Sequence, residues 1–207
     1  MVFSKNEMSR QTIMGRTGKT KSDWVQAGQA LLIEAGVDGV KLHCLTTRLG
    51  VSTGSFYHHF RNFDEYLEAL ADFYGSKQAQ LHFDEARGRV GDDPELLLRE
   101  ATSIFGAGSM RQLNIAMRAW AQRDERAWAA IRRYDEVLIR NLDEIFLALG
   151  FDEISAKSRT LIMMGLASVD LDPKLMNPSF RERWVYILDN LILPDRIRDP
   201  SEQAHSS

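Results

Sequence analysis

The stretch Gly50–Phe60, GVSTGSFYHHF, decides how this chain is read. Gly50 breaks one helix, and Ser52 has the side chain and the place of an N-cap for the next. Phe56 and Phe60 stand at i and i+4, so they share one face and act as buried anchors. Between them, Tyr57, His58 and His59 carry polar edges that so short a helix cannot all bury. Upstream, about Lys41 to Leu49 reads as another short helix, with Leu42, Leu45 and Leu49 inward. Ser22 is placed to cap an earlier helix that runs to about Ala35 and ends at Gly36 and Gly39. Two short helices round a tight glycine turn, packed on a preceding helix, describe a helix-turn-helix. Its core is expected to join Leu45, Leu49, Val51, Phe56 and Phe60 to Trp24, Leu31 and Leu32.

The second helix of such a pair enters the major groove and offers side chains to base edges and phosphates. Its outward set here is Thr53, Ser55, Tyr57, His58 and His59, with Gly54 letting backbone come close to DNA.

The longer run CLTTRLGVSTGSFYHHFRNFDEYLEAL resembles the helix-turn-helix of the tetracycline-repressor-like (TetR) family of bacterial transcriptional regulators. Leu45, Thr46, Gly50, Val51, Ser52, Gly54, Tyr57, Phe60 and Leu67 carry the resemblance, which covers about residues 22 to 70 in detail. It implies DNA contacts from Lys41 and His43 at the front of the first helix of the pair. It implies further contacts from Thr53, Gly54, Ser55, Tyr57, His58 and His59 on the second. Two positions depart from the family pattern. Thr46 stands where alanine is usual. Phe63 stands where a phosphate-reaching lysine is usual, which leaves that contact missing or supplied by Arg61. Arg16, Lys19 and Lys21 are expected to follow the DNA backbone as an arm.

The rest of the chain also reads as helix, with apolar residues at three- and four-residue steps. Asn62 and Glu65 have capping-box spacing for a fourth helix reaching His82 or beyond. Asp93-Pro94 opens another, to about Phe105. Ser109 and Gln112 look like the capping box of the next, to about Gln122. A long helix follows from about Asp124 to Leu149, then one from near Asp152 to near Asp170, and a last one from about Phe180 to Leu193. The fold class is therefore all-α, with about nine helices. Residues 1–21 are read as a basic arm, 22–66 as the DNA-binding domain with its motif over 41–60, 67–194 as a helical effector-binding and dimerisation domain, and 195–207 as a tail.

Charge follows the same division. Residues 1–61 hold 8 Lys and Arg against 4 Asp and Glu, whereas the remainder holds 18 against 25. A basic front and an acidic rear suggest an anionic partner for the front alone. With 44% hydrophobic and 27% charged residues the chain can build a core. One cysteine, Cys44, rules out an internal disulfide, and no apolar run suits a signal peptide or a membrane span. A cytoplasmic protein that avoids membranes is expected. There is no Gly-x-Ser-x-Gly, phosphate loop, dinucleotide fingerprint or His-Glu-x-x-His, so no enzyme is expected and no cofactor is implied. Adjacent His58 and His59 point about 100° apart on a helix, which is poor geometry for one metal.

Two expectations concern the large domain. The segment Arg159–Val169 and the last helix are apolar nearly all round, so each needs cover on two faces. One face suits the core and the other a second copy, through Leu161, Met164, Ala167, Trp184, Leu188 and Leu191. A homodimer would present two recognition helices to a palindromic double-stranded operator, with half-sites ~34 Å apart. The resemblance also implies a small-molecule effector of unspecified class, walled by Phe73, Phe105, Met110, Met117, Trp120, Trp128 and Tyr134. Arg118 and Arg123 would meet an acidic ligand or neighbouring carboxylates. The leading reading is a ligand-released repressor. The alternatives are an architectural DNA-binding protein without effector, and a helical small-molecule-binding protein that has lost DNA binding.

Overall fold

The structure is a computed structural model that describes residues 18–106, 108–168 and 180–193. The described residues are helical with no strand, in two compact units that divide between Leu70 and Ala71. The arm up to residue 17, the turn over 172–178 and the tail over 195–207 lie outside the described residues.

In the first unit, α1 spans Lys21–Ala35 and its cap is Thr20, not Ser22. Thr20 Oγ1 accepts from Asp23 N at 3.2 Å, and the Asp23 carboxylate accepts from Thr20 N at 2.7 Å. Ser22 would have Val25 three residues on, which cannot close that reciprocal pair. After a 3-10 turn, Val37–Gly39, come α2 (Leu42–Leu49) and α3 (Thr53–Tyr57). Gly50 between them is left-handed at φ 66° and ψ 36°, a conformation glycine adopts without steric cost. Ser52 is the residue before α3, but its side chain makes no capping bond. Regular α3 also stops at Tyr57, short of Phe60, and His59 N and Phe60 N share Phe56 O as acceptor.

Helix α4 is Phe63–Phe73. Asn62 Oδ1 accepts from Glu65 N at 2.8 Å, one half of the expected box. The other half is diverted, because Glu65 takes the N–H of Arg61. Trp24, Leu32, Leu45, Phe56, Phe60 and Tyr66 are sealed from solvent. Phe56 is the hub, edge-on to Trp24 at 5.4 Å and to Tyr66 at 5.7 Å, with Phe60 at 5.2 Å. Leu49 and Val51 are half-buried. So is Leu67, while its neighbour Tyr66 fills the core position.

The second unit takes in the end of α4 and then a π-helical turn, Tyr74–Gln78, that runs on into α5 (Ala79–Val90). It continues with α6 (Pro94–Gly106), α7 (Gly108–Ala121), α8 (Glu125–Ala148), α9 (Glu153–Ser168), α10 (Phe180–Ile187) and a closing π turn (Leu188–Ile192). Acidic caps start three of these. Asp93 accepts from Leu96 N, Asp124 from Arg126 N, and Asp152 from Ile154 N and Ser155 N. Ser109 has no such role: α7 starts at Gly108, which puts Ser109 inside the first turn, whereas a cap residue must stand outside it.

Helix α8 is the axle of the second unit, touching the first π turn, α5, α6, α7 and α9. Its face follows the 3.6 period through Ala127, Ala130, Ile131, Tyr134, Leu138, Leu142 and Ile145. At Gly75 the π turn lies so close that a β-carbon would stand 2.7 Å from Ala130 Cα and its carbonyl oxygen. One turn along α8, Tyr74 stacks on Tyr134 at 4.4 Å.

Candidate nucleic-acid interface

Helix α3 is held from beneath and bare above. Phe56 is fully buried, while Thr53, Gly54, Tyr57 and His58 are exposed and Ser55 is half-exposed. Tyr57 leaves 57% of its surface to solvent, its ring edge resting on Phe56 at 5.4 Å. A β-carbon at Gly54 would meet only Ser52 Oγ, at 3.6 Å, so packing inside the fold does not demand a glycine there. Lys41 and His43 are exposed at the start of α2, and Arg61 is exposed before α4. His59 differs from its neighbours. It is half-buried, tilted against Trp24 and Phe60 with centroids 6.4 Å away in each case, so it belongs partly to the core. Cys44 Sγ lies 3.2 Å from His43 Nε2, but no group of three metal-ligating side chains occurs among the described residues.

Phe63 turns its ring to the core cluster, 5.5 Å from Tyr66 and 6.2 Å from Phe56. Arg48 is engaged with Glu34. Arg61 and Lys21 therefore bring positive charge to the start of α4.

Residues 25–70 match the family model described as bacterial regulatory proteins, tetR family. The N-terminal unit is that of the TetR family. Solved structures resemble the fold over most of the chain. A TetR transcriptional regulator from Legionella pneumophila superposes with TM-score 0.63 at 14% identity, covering 75% of this chain and 86% of its own. A transcriptional regulator from Rhodococcus sp. Rha1 gives 0.58 at 19% identity, over 72% of this chain and 80% of the other. The multidrug binding protein EbrR, complexed with malachite green, gives 0.56 at 16% identity, over 85% and 99%. No curated protein matches the chain significantly. At these identities the likeness in structure speaks to the fold alone.

The second unit of this TetR-type fold encloses a cavity of about 50 Å³ between α6, α7, α8, α9 and α10. Of the seven side chains expected around an effector, Phe105, Met110 and Tyr134 are on its wall. The other four are elsewhere. Met117 and Trp120 are sealed in the core, Phe73 is half-buried off the wall, and Trp128 is 46% exposed because it falls on the outer face of α8. Arg118 is held by Asp135 at 2.6 Å and by Asn114 Oδ1 at 2.7 Å, which gives it a structural partner.

Three residues expected at a dimer interface, Met164, Ala167 and Trp184, are half-buried and line this cavity. Leu188 is buried, at 3% exposure. Only Leu161 and Leu191 of that set are open, at 73% and 65%. Ile154, Ile162, Val185 and Tyr186 extend the exposed apolar surface of α9 and α10. Sequence reasoning missed Thr102 and Asn114 on the cavity wall. Both are buried polar residues one helical turn before wall or core residues, Phe105 and Met117, and that was their signal. No helix among the described residues is long and apolar enough to cross a membrane.

Proposed function

We propose that this chain is a homodimeric, sequence-specific DNA-binding transcriptional repressor released by a small molecule. The observation that carries the reading is α3 itself: a sealed Phe56 beneath, and Thr53, Gly54, Tyr57 and His58 bare above. An exposed tyrosine on a helix this short adds little to folding, but it suits a phosphate or a thymine methyl in the major groove. Lys41, His43, Ser55 and Arg61 flank it, with His59 serving more as a support than as a reader.

Dimerisation is supported by Leu161, Ile162, Val185 and Leu191, which stand exposed on the last described helices. Covering such a face with its own copy gives an isologous contact and pairs two recognition helices for a palindrome.

The cavity supports an effector and suggests how it acts. About 50 Å³ suits a few waters, not a drug-sized molecule. A larger ligand therefore prefers a conformation in which the cavity is wider. If that conformation spaces the recognition helices differently, ligand and DNA oppose each other by linkage. EbrR, which shares the fold, is a multidrug binding protein with malachite green bound.

The testing experiment is selection of bound duplexes from a random pool by the purified protein. Enrichment of a palindrome with half-sites about 34 Å apart is the expected result. Binding with no enriched sequence would favour an architectural protein. Absence of binding at any salt concentration would leave only the small-molecule role.

A further inference from the structure

At the start of α4 one carboxylate organises two cations. A single oxygen of Glu65, Oε2, accepts from Arg61 N at 2.8 Å and from Arg61 Nε at 2.9 Å. The other oxygen, Oε1, lies 4.0 Å from Lys21 Nζ. Lys21 Nζ in turn sits 5.2 Å above the Phe60 ring, on the same side of the domain. Glu65 itself is fixed, because its backbone N–H is bound by Asn62. The Arg61 N–H foremost, and then its side chain, hold the Glu65 carboxyl below its ordinary range, so it is charged at neutral pH.

This arrangement is more specific than a surface ion pair. The Arg61 side chain is 88% exposed, and such an arginine would normally sample many rotamers. Gripping it at Nε fixes the plane of the guanidinium. No hydrogen bond occupies its Nη1 or Nη2 among the described residues. Those two groups form the end of the fork that grips a phosphate, and a fork held in place loses less freedom on binding. Phe63 cannot reach a phosphate, since its ring belongs to the Phe56–Tyr66 cluster.

We infer that Glu65 is a positioning residue for DNA binding, holding Arg61 and Lys21 as a phosphate clamp beside the recognition helix. The inference rests on the DNA-binding reading above. It also makes an unusual prediction of sign. An acidic group near DNA should repel it, so deleting the acid should strengthen binding by simple electrostatics. A positioning acid does the reverse.

The test is fluorescence anisotropy of the full chain on a labelled mixed-sequence duplex over a salt series, since phosphate contacts do not depend on sequence. Arg61→Ala should lower the slope of log affinity against log salt by about 0.9, the loss of one phosphate contact. Glu65→Ala should lower it by at least that amount and weaken binding. Added to Arg61→Ala, it should lower the slope further only by the contact that Lys21 makes. Glu65→Gln keeps an acceptor oxygen for Arg61 and removes the charge, so its slope should match wild type while affinity rises. Melting curves check that each variant is folded; Glu65 is half-buried, and its backbone bond to Asn62 is kept in every variant. A Glu65→Ala protein that binds more tightly with an unchanged slope would overturn the inference. So would an Arg61→Ala protein with the wild-type slope. Wild-type protein that binds no duplex at any salt would overturn the DNA-binding reading itself, and the inference with it.

Discussion

The hydroxyl of Tyr66 fills the space that a side chain at Gly28 would need. A β-carbon built on Gly28 would lie 1.9 Å from Tyr66 Oη and 3.0 Å from its Cζ. That hydroxyl donates to Trp24 O at 3.0 Å, tying α4 to the first turn of α1 inside the core. Burial pushes the phenol far above its ordinary pKa, so it stays a donor. A mid-helix glycine costs about 0.5–1 kcal/mol relative to alanine, and the close approach it permits offsets that.

Gly28→Ala should therefore destabilise the protein by about 1–3 kcal/mol despite its better helix propensity. Tyr66→Phe alone should cost about 1 kcal/mol for the lost hydrogen bond. Combined, the two should cost less than their sum, because removing the hydroxyl opens room for the new methyl. Denaturant melts of the four proteins measure the coupling. Strict additivity would mean the two positions do not meet.

Neighbours on α3 should separate folding from recognition. Tyr57→Ala should weaken binding to the selected duplex at least tenfold, about 1.4 kcal/mol, with stability changed by less than about 0.5 kcal/mol. Phe56→Ala should cost about 3–5 kcal/mol of stability, since it empties the centre of the aromatic cluster. Anisotropy and thermal melts on the same samples decide it, and unchanged affinity in the Tyr57 variant would remove that residue from the interface.

A pair of leucines should do the same for assembly. Leu161→Glu with Leu191→Glu places charges on the exposed face, so the chain should sediment as a folded monomer. Leu188→Glu buries an unpaired carboxylate instead and should unfold the second unit. A dimer that survives the double substitution would put the interface elsewhere.

Acid should weaken the second unit through His82. The ring is buried edge-on to Phe105 at 5.2 Å, with Gln78 Nε2 3.2 Å from its Nε2. Its Nδ1 has no partner among the described residues. Burial holds its pKa below 6.5, only partly opposed by Glu85. The sign follows: above pH 6.5 both folded and unfolded rings are neutral, and the contribution is intact. As pH falls, the unfolded chain takes its proton first, and stability drops until the folded ring titrates as well. Melting temperature against pH should fall on the acid side of 6.5, and His82→Gln should flatten that fall. An identical profile in the variant would assign the acid sensitivity to other groups.

Much of this architecture was legible because its signals are local. Gly50, the Asn62–Glu65 spacing, and the acids before α6, α8 and α9 act within four residues of chain, the range over which helix ends are decided. Phe56 and Phe60 declared an inward face by spacing alone, and Tyr57 between them declared an outward one. The cap of α1 was misplaced by two residues, because Ser22 and Thr20 are equally good acceptors and only Asp23 distinguishes them. The burial of Tyr66 has no local signal, because a core tyrosine needs a space for its hydroxyl, and Gly28 lies 38 positions earlier.

The sequence by itself determined that the described residues are helical, where most helices begin and end, and which short helix turns its side chains outward. Only the tertiary structure decided which sides of the apolar helices are covered. Met164, Ala167 and Trp184 face a cavity, while Leu161 and Leu191 face outward. Met117 and Trp120 are sealed in the core, and Trp128 stands in solvent. Periodicity says that residues share a face. It carries no information about what lies opposite, since burial depends on partners supplied by distant parts of the chain.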